Sequence, residues 1–310
     1  MIVCAGQALI DCIISGGEAG DVAENISLNP GGEAFNEASV LAALGERVYL
    51  SSAIGSDHAG MILQNEAQNS GITVLNQNYS GRTPVSLLDV DSTGNRKSRV
   101  SRVHELKGYI PALPGAVEGE RIDFVTMASL FRPPFLDPGV CFDFASAAKS
   151  MGAMLLADTK LPKGNDPKLS EYADVLGILD YITPNETEAE HYTGYSEPER
   201  AAEVFHSYGV KNVIIKLSDK GCYVSPEKET AFYIPAFKVK VVDGIGAGDT
   251  FAAGFMHSLV KGKNLQESAF YASACAAVSV TGTGGASVIK SEKQIEEFLT
   301  SENCVQFMSK

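Results

Sequence analysis

The segment DGIGAGDTFAAGFMHSL (243–259) sets three alternating glycines, Gly244, Gly246 and Gly248, in front of Asp249 and an apolar run. Glycine lets the chain take positive φ and bring backbone amides close to a ligand. Beyond Asp249, Phe251, Ala252, Phe255, Met256 and Leu259 recur at helical spacing, and Gly262 offers a stop. Gly246, Ala247 and Gly248 then form a helix N-terminus whose free N–H groups and dipole suit an anion, most naturally phosphate. An acid at that mouth repels phosphate, so its presence needs a reason. One is a base that takes the proton from a nucleophile attacking the phosphorus; the other is an Asp N-cap after a glycine turn. The dinucleotide fingerprint GxGxxG fails because Asp stands at 249, and GxxxxGK(S/T) occurs nowhere.

Two further stretches carry polar groups beside glycine or a helix start. In PGGEAFNEASVLAALG (30–45), Gly31 and Gly32 precede a helical pattern whose early turn holds Asn36. This is either an ordinary loop and helix start or a tight turn that brings Asn36 and nearby amides to polyol hydroxyls. Asp11, read as the end of the first strand in GQALID, faces the same sheet edge. In TPNETEAE (183–190), Asn185 and Glu188 fall three apart, hence on one face of a new helix. They fit a capped, acid-rich helix start, and equally a pair that holds hydrated Mg²⁺ beside nucleotide phosphates.

The elements that must position these groups alternate along the chain. Apolar strands are predicted at 1–6, 48–54, 123–129, 154–159, 181–185 and 213–218, with helical spacing at 36–44, 61–71 and 199–209, each ending near a glycine. Near-continuous apolar strands between amphipathic helices imply an α/β fold, a mostly parallel sheet covered on both faces. Residues 11–30 and 80–106 break the alternation. VSLLDV–DSTGN–RKSRV reads as a hairpin turning at 92–95. These two insertions are expected to form a small β-lid over a core made of 1–10, 31–79 and 107–310.

The totals narrow the partners. The 310 residues, 45% hydrophobic and 20% charged, describe a globular chain with a sizeable core. A formal net charge of −13 repels nucleic acid and anionic lipid, so neither is expected as a partner. The six cysteines, Cys4, Cys12, Cys141, Cys222, Cys275 and Cys304, show no CxxC pair or metal spacing and read as small reduced residues. The chain starts directly in MIVCAG without a leader pattern, and no apolar run approaches the ~18 residues of a membrane span. A cytoplasmic location is expected.

Taken together, the motifs resemble those of the ribokinase-like (PfkB) family of sugar and nucleoside kinases over essentially the whole chain. DGIGAGD (243–249) keeps six of the seven positions of that family's DTxGAGD signature, GGEAFN (31–36) resembles the first signature, and Asn185 with Glu188 matches its NxxE element. Gly55, Asp57 and Gly60 match its GxD..G stretch. The resemblance implies a three-layer sandwich with a β-lid, Asp249 as general base and Gly246, Ala247 and Gly248 as anion hole. It implies Asp11, Gly31, Gly32 and Asn36 at the sugar. Asn185 with Lys216, Ser218 and Gly221 in KLSDKG, and Ser273, would meet the nucleotide. Glu188 would serve Mg²⁺ through water, and the carbonyls of Asp243 and Ile245 a monovalent cation such as K⁺. ATP and Mg²⁺ are the cofactors so implied. Gly244 replaces the usual Thr, and Ser218 a usual Gly.

The acceptor is read from the lid. RKSRVSR (96–102) is either a solvated basic strand or one whose Arg102, or Arg99, pairs a substrate carboxylate or phosphate. Arg102 falls near the Arg of fructokinase- and keto-deoxygluconate-kinase-like members. A free sugar such as fructose or ribose is expected first, then a keto-sugar acid such as 2-keto-3-deoxygluconate, then a nucleoside. A non-catalytic sugar or nucleotide sensor is the reading from another class. Open lid edges predict a homodimer through the lid.

Overall fold

The structure, a computed structural model, describes residues 1–15, 25–75, 79–90, 96–101, 106, 109–115, 121–162 and 167–301. The large sheet is built from β1 (Ile2–Ala5), β4 (Val48–Ser51), β5 (Thr73–Leu75), β8 (Phe124–Leu130), β9 (Met154–Thr159), β10 (Tyr181–Ile182), β11 (Asn212–Lys216), β12 (Cys222–Pro226) and β13 (Phe232–Ile234). Their order is β13-β12-β11-β10-β9-β8-β1-β4-β5. All pairs from β11 to β5 are parallel, and β12 and β13 close one end antiparallel.

Side-chain alternation along these strands splits the interior into two cores. Ile2, Cys4, Leu50, Phe124, Leu156 and Ile214 face one layer of helices, α1 (Glu33–Ala43), α2 (His58–Asn69), α7 (Ala247–Val260), α8 (Leu265–Ser279) and α9 (Glu292–Thr300). Val3, Val125, Met127, Leu155, Ala157, Val213 and Ile215 face the other, with α3 (Pro138–Ser150), α4 (Ala173–Leu176), α5 (Glu186–Thr193) and α6 (Pro198–Ser207). Strands buried on both faces are near-continuously apolar, as the sequence showed. This is the expected three-layer α/β sandwich.

A separate four-stranded sheet has the order β3-β2-β6-β7, from β2 (Leu9–Ser15), β3 (Asn25–Gly31), β6 (Val85–Val90) and β7 (Arg96–Ser101). β6 and β7 pair antiparallel as the hairpin reading requires, with its turn, 91–95, outside the described residues. Asp11 is corrected here. It does not end the first strand, which stops at Ala5, but lies in β2 opposite Asn29. A bend at Gly6, φ 149°, and a Gln7–Ala8 link carry the chain from the large sheet into the small one before Asp11 is reached, a bend that the apolar run IVCAGQALI conceals.

The GxD..G stretch ties the two sheets. Asp57 caps α2 by accepting from the Gly60 amide at 2.9 Å and also accepts from the Thr83 amide at 3.1 Å. Gly55 N donates to the Thr83 hydroxyl at 2.9 Å. Burial works against the Asp57 carboxylate, but these bonds outweigh it and hold its pKa below the ordinary value. The motif therefore anchors the strand entering β6.

Candidate active site

The glycine-rich turn becomes a helix N-terminus. α7 starts at Ala247, Gly246 before it adopts φ 71°, and no side chain caps its first amides. Asp249 is not the N-cap. It sits in the first turn, 4% exposed, where Oδ2 accepts from Asn36 Nδ2 at 2.7 Å and Oδ1 lies 3.8 Å from Lys160 Nζ. Burial raises its pKa above the usual carboxylate value; Lys160 works against this, Glu33 adds to it, Asn36 opposes and Asp158 adds. A buried carboxylate with a raised pKa is a stronger base than an exposed one.

The α7 N-terminus opens into a cleft of about 860 Å³ at the C-terminal ends of the parallel strands. That is where open α/β sheets bind ligands. Its polar end holds Asp158, Lys160, Asn185, Glu188, Lys216 and Asp249; its other wall is apolar, with Phe237, Val239, Ala276, Ala277 and Val280. Lys216 Nζ binds Asp158 Oδ1 at 2.6 Å, and a Cβ on Gly248 would stand 3.3 Å from the same ammonium. The Lys216 charge thus lies directly against the helix mouth.

Asn185 and Glu188 form a reciprocal capping box on α5, Glu188 N donating to Asn185 Oδ1 at 2.9 Å and Asn185 N to Glu188 Oε2 at 3.0 Å. The same Oε2 accepts from Thr159 Oγ1 at 2.8 Å. The pair is therefore a helix cap and also part of the cleft wall. Ser218 takes φ 52°, the left-handed region that glycine occupies without strain, and Gly221 follows at φ 97°. Ser273 lines the cleft with its hydroxyl bound back to Ala269 O at 2.9 Å.

On the other side of Asp249, Gly32 precedes α1 at φ 95°, where a Cβ would stand 2.5 Å from Gln7 O. Gly31 is packed against Asp11, whose Oδ2 would lie 2.7 Å from its Cβ. This close approach sets Asp11 beside the turn that opens α1. Asn36 reaches Asp249 itself. Arg102 lies outside the described residues, and of Arg99 only the backbone is described.

Four charged residues of this site were not singled out from the sequence. Asp158 and Lys160 stand at the end of β9, in the ADTK that closes the strand motif MLLADT. Burial raises the Asp158 pKa and Glu188 adds to it, while Lys216 and Lys160 oppose. Glu33 approaches Lys160 Nζ at 3.4 Å. Glu37 is fully buried on α1, and among the described residues neither of its oxygens has a hydrogen-bond partner. The available signals were a polar cluster at a strand's C-terminal end, and an acid at helical spacing with Val40, Leu41 and Leu44.

Among the described residues no group of three or more His, Cys, Asp or Glu is placed to hold a metal ion. Glu188 in the cleft wall fits a hydrated Mg²⁺ shared with ligand phosphates, since Mg²⁺ keeps its waters and takes few protein ligands. Asp243 accepts from the Ile245 amide at 3.0 Å and the Gly284 amide at 3.3 Å, and Ile245 O is turned toward Gly285, whose Cβ would meet it at 2.1 Å. No helix among the described residues is long and apolar enough to cross a membrane.

The family model for pfkB family carbohydrate kinases matches residues 1–292. The chain belongs to the pfkB family of carbohydrate kinases. A ribokinase of Haemophilus influenzae is 29% identical over 287 residues, 89% of each chain. The structure of a ribokinase from Thermotoga maritima superimposes with a TM-score of 0.79 at 28% identity, covering 97% of this chain and 99% of that one. Arabidopsis thaliana ribokinase, solved in complex with ribose and ATP, shares the fold with a TM-score of 0.76 at 22% identity, over 97% and 99% of the two chains. This pfkB-family kinase is accordingly a phosphotransferase with an alcohol group as acceptor.

Proposed function

We propose that this kinase transfers the γ-phosphoryl group of ATP to a hydroxyl of a small free sugar, fructose- or ribose-like, with Asp249 as general base. The observation that carries this is Asp249 itself, buried beside the uncapped amides of α7 and held by Asn36. The acceptor oxygen attacks the γ-phosphorus and forms the new O–P bond. The bond from that phosphorus to the β,γ-bridging oxygen breaks, leaving its electron pair on ADP, and the hydroxyl proton passes to Asp249. Gly246, Ala247 and Gly248 offer their amides to the negative charge on the transferred group.

ATP lies along the cleft, its base against the apolar wall near Ser273 and its phosphates toward Lys216, Asn185 and the 218–221 turn. Glu188 is the carboxylate suited to a hydrated Mg²⁺, which when bound offsets phosphate charge, and the carbonyls of Asp243 and Ile245 suit K⁺. Asp11, Gly31 and Gly32, with Arg102, form the sugar side. The segments 11–30 and 80–106 act as a lid on the core, and the lid joins two copies into a dimer. Support for the dimer is the edge strand β3, where Ile26 and Leu28 are 62% and 52% exposed on alternate positions.

The test is ADP release with ATP, Mg²⁺ and K⁺ against fructose, ribose, 2-keto-3-deoxygluconate, adenosine and uridine. Turnover with a free sugar, lost in Asp249→Ala while ATP still binds, is the expected result. Undiminished turnover in Asp249→Ala refutes the base; turnover with a nucleoside alone refutes the acceptor.

A further inference from the structure

Lys160 occupies a position that general phosphate binding does not explain. Its backbone is fixed at both ends, with N donating to Leu130 O at 3.1 Å and O accepting from the Tyr192 hydroxyl at 2.6 Å. Its ammonium is 3.4 Å from Glu33 Oε1 on α1 and 3.8 Å from Asp249 Oδ1 on α7. Glu33 in turn accepts from Ser129 Oγ at 3.4 Å. One cation is thus shared between the base and a second carboxylate, while Lys216 is committed to Asp158 at 2.6 Å.

We propose that Glu33 and Lys160 are a positioning pair for Asp249, Lys160 acting as the base's counter-ion and Glu33 holding that ammonium so that it is not given wholly to the base. A counter-ion bound to Asp249 alone would stabilise the carboxylate and weaken it as a proton acceptor. With Glu33 present, the ammonium keeps a partner when Asp249 takes the acceptor's proton, so the pair accommodates both states of the base. The inference rests on Asp249 being the general base.

The charged groups facing Asp249 come from four elements and their ends: Glu33 and Glu37 on α1, Asp158 on β9 with Lys160 just after it, Lys216 on β11 and Glu188 on α5. Of these, Lys160 opposes the upward shift of the Asp249 pKa most strongly, and Glu33 is the carboxylate that adds most to it. Lys160 itself is held protonated: burial works against its charge, but Glu33 first, then Asp249, Asp158 and Glu188 outweigh that. The two residues therefore act on the base in opposite senses, a signature that loosening of the fold cannot imitate.

The experiment is the pH profile of kcat/KM for the acceptor identified by the panel above, measured in Lys160→Met, Lys160→Arg and Glu33→Gln. The acidic limb of that profile reports the base in the free enzyme. Lys160→Met should move it to higher pH and Glu33→Gln to lower pH, each by about one pH unit, with Lys160→Arg close to wild type. In parallel, the Asp249 carboxyl is titrated by NMR in protein labelled with ¹³C at the aspartate carboxyls, its resonance identified by loss in Asp249→Asn. The NMR titration needs no turnover, so it decides the pair even if no acceptor is found. Opposite displacements in the two variants support the pair. Displacements in the same direction, or reduced turnover with an unmoved titration, overturn it. If Lys160→Met does not fold, a shift of the Asp249 titration to lower pH in Glu33→Gln supports the pair, and an unmoved or upward titration overturns it.

Discussion

Glu37 makes a carboxylic acid part of the hydrophobic core, and replacing it by its neutral isostere should leave a distinct mark on stability. Burial, with the charges of Asp158 and then Asp249 adding, pushes its pKa well above the carboxylate range; smaller pulls from Thr126 and Lys216 do not reverse this. Thr126 favours the charged form by its nearness, yet its hydroxyl makes no hydrogen bond of normal geometry among the described residues. The folded pKa therefore exceeds the unfolded one. Below the unfolded value both states hold the proton and nothing is lost. Above it the folded state binds more protons, so stability falls by about 1.4 kcal/mol per pH unit until the folded pKa is reached.

Glu37→Gln removes that slope. The amide brings a constant burial penalty of about 1–3 kcal/mol for its unpaired N–H groups, independent of pH. The difference in stability between variant and wild type should then change in the variant's favour by about 1.4 kcal/mol for each pH unit between the unfolded and the folded pKa of Glu37. Urea unfolding between about pH 5 and pH 8, with midpoints converted through the common slope, measures it. The other buried acids are present in both proteins and cancel in the difference. A difference that stays constant across this range would refute the reasoning, because Glu37 would then be ionised in the folded protein as in the unfolded one.

Two other outcomes are expected. Asn36→Ala removes the 2.7 Å hydrogen bond to the Asp249 carboxylate, and since bonds to charged groups contribute about 1.5–3 kcal/mol, kcat should fall by about 10-fold or more; steady-state kinetics at saturating ATP checks this, and an unchanged kcat counts against Asn36 as the partner of the base. Ser218→Gly relieves a side chain held at φ 52° and should raise stability by up to about 1 kcal/mol, read as a higher urea midpoint.

What the sequence determined by itself was the layered α/β architecture and the uncapped helix start at the α7 mouth. Strands such as MLLADT and VIIKLS are apolar at consecutive positions because both faces are covered, and that composition survives in one dimension. The alternating glycines before Asp249 are equally local, since positive φ at Gly246 and the free amides behind it follow from residue type and spacing. The tertiary structure alone decided who stands against Asp249. Asn36 reaches it from 213 residues away, and Lys160 arrives from just past the end of β9. No periodicity encodes those meetings, because they depend on which strand ends share an edge. The same holds for Asp11, which belongs to the small sheet through a bend hidden in an apolar run, and for Glu37. As a letter in a helix it is an ordinary acid, and only the packing of α1 against the large sheet removes it from water and makes its proton part of the fold.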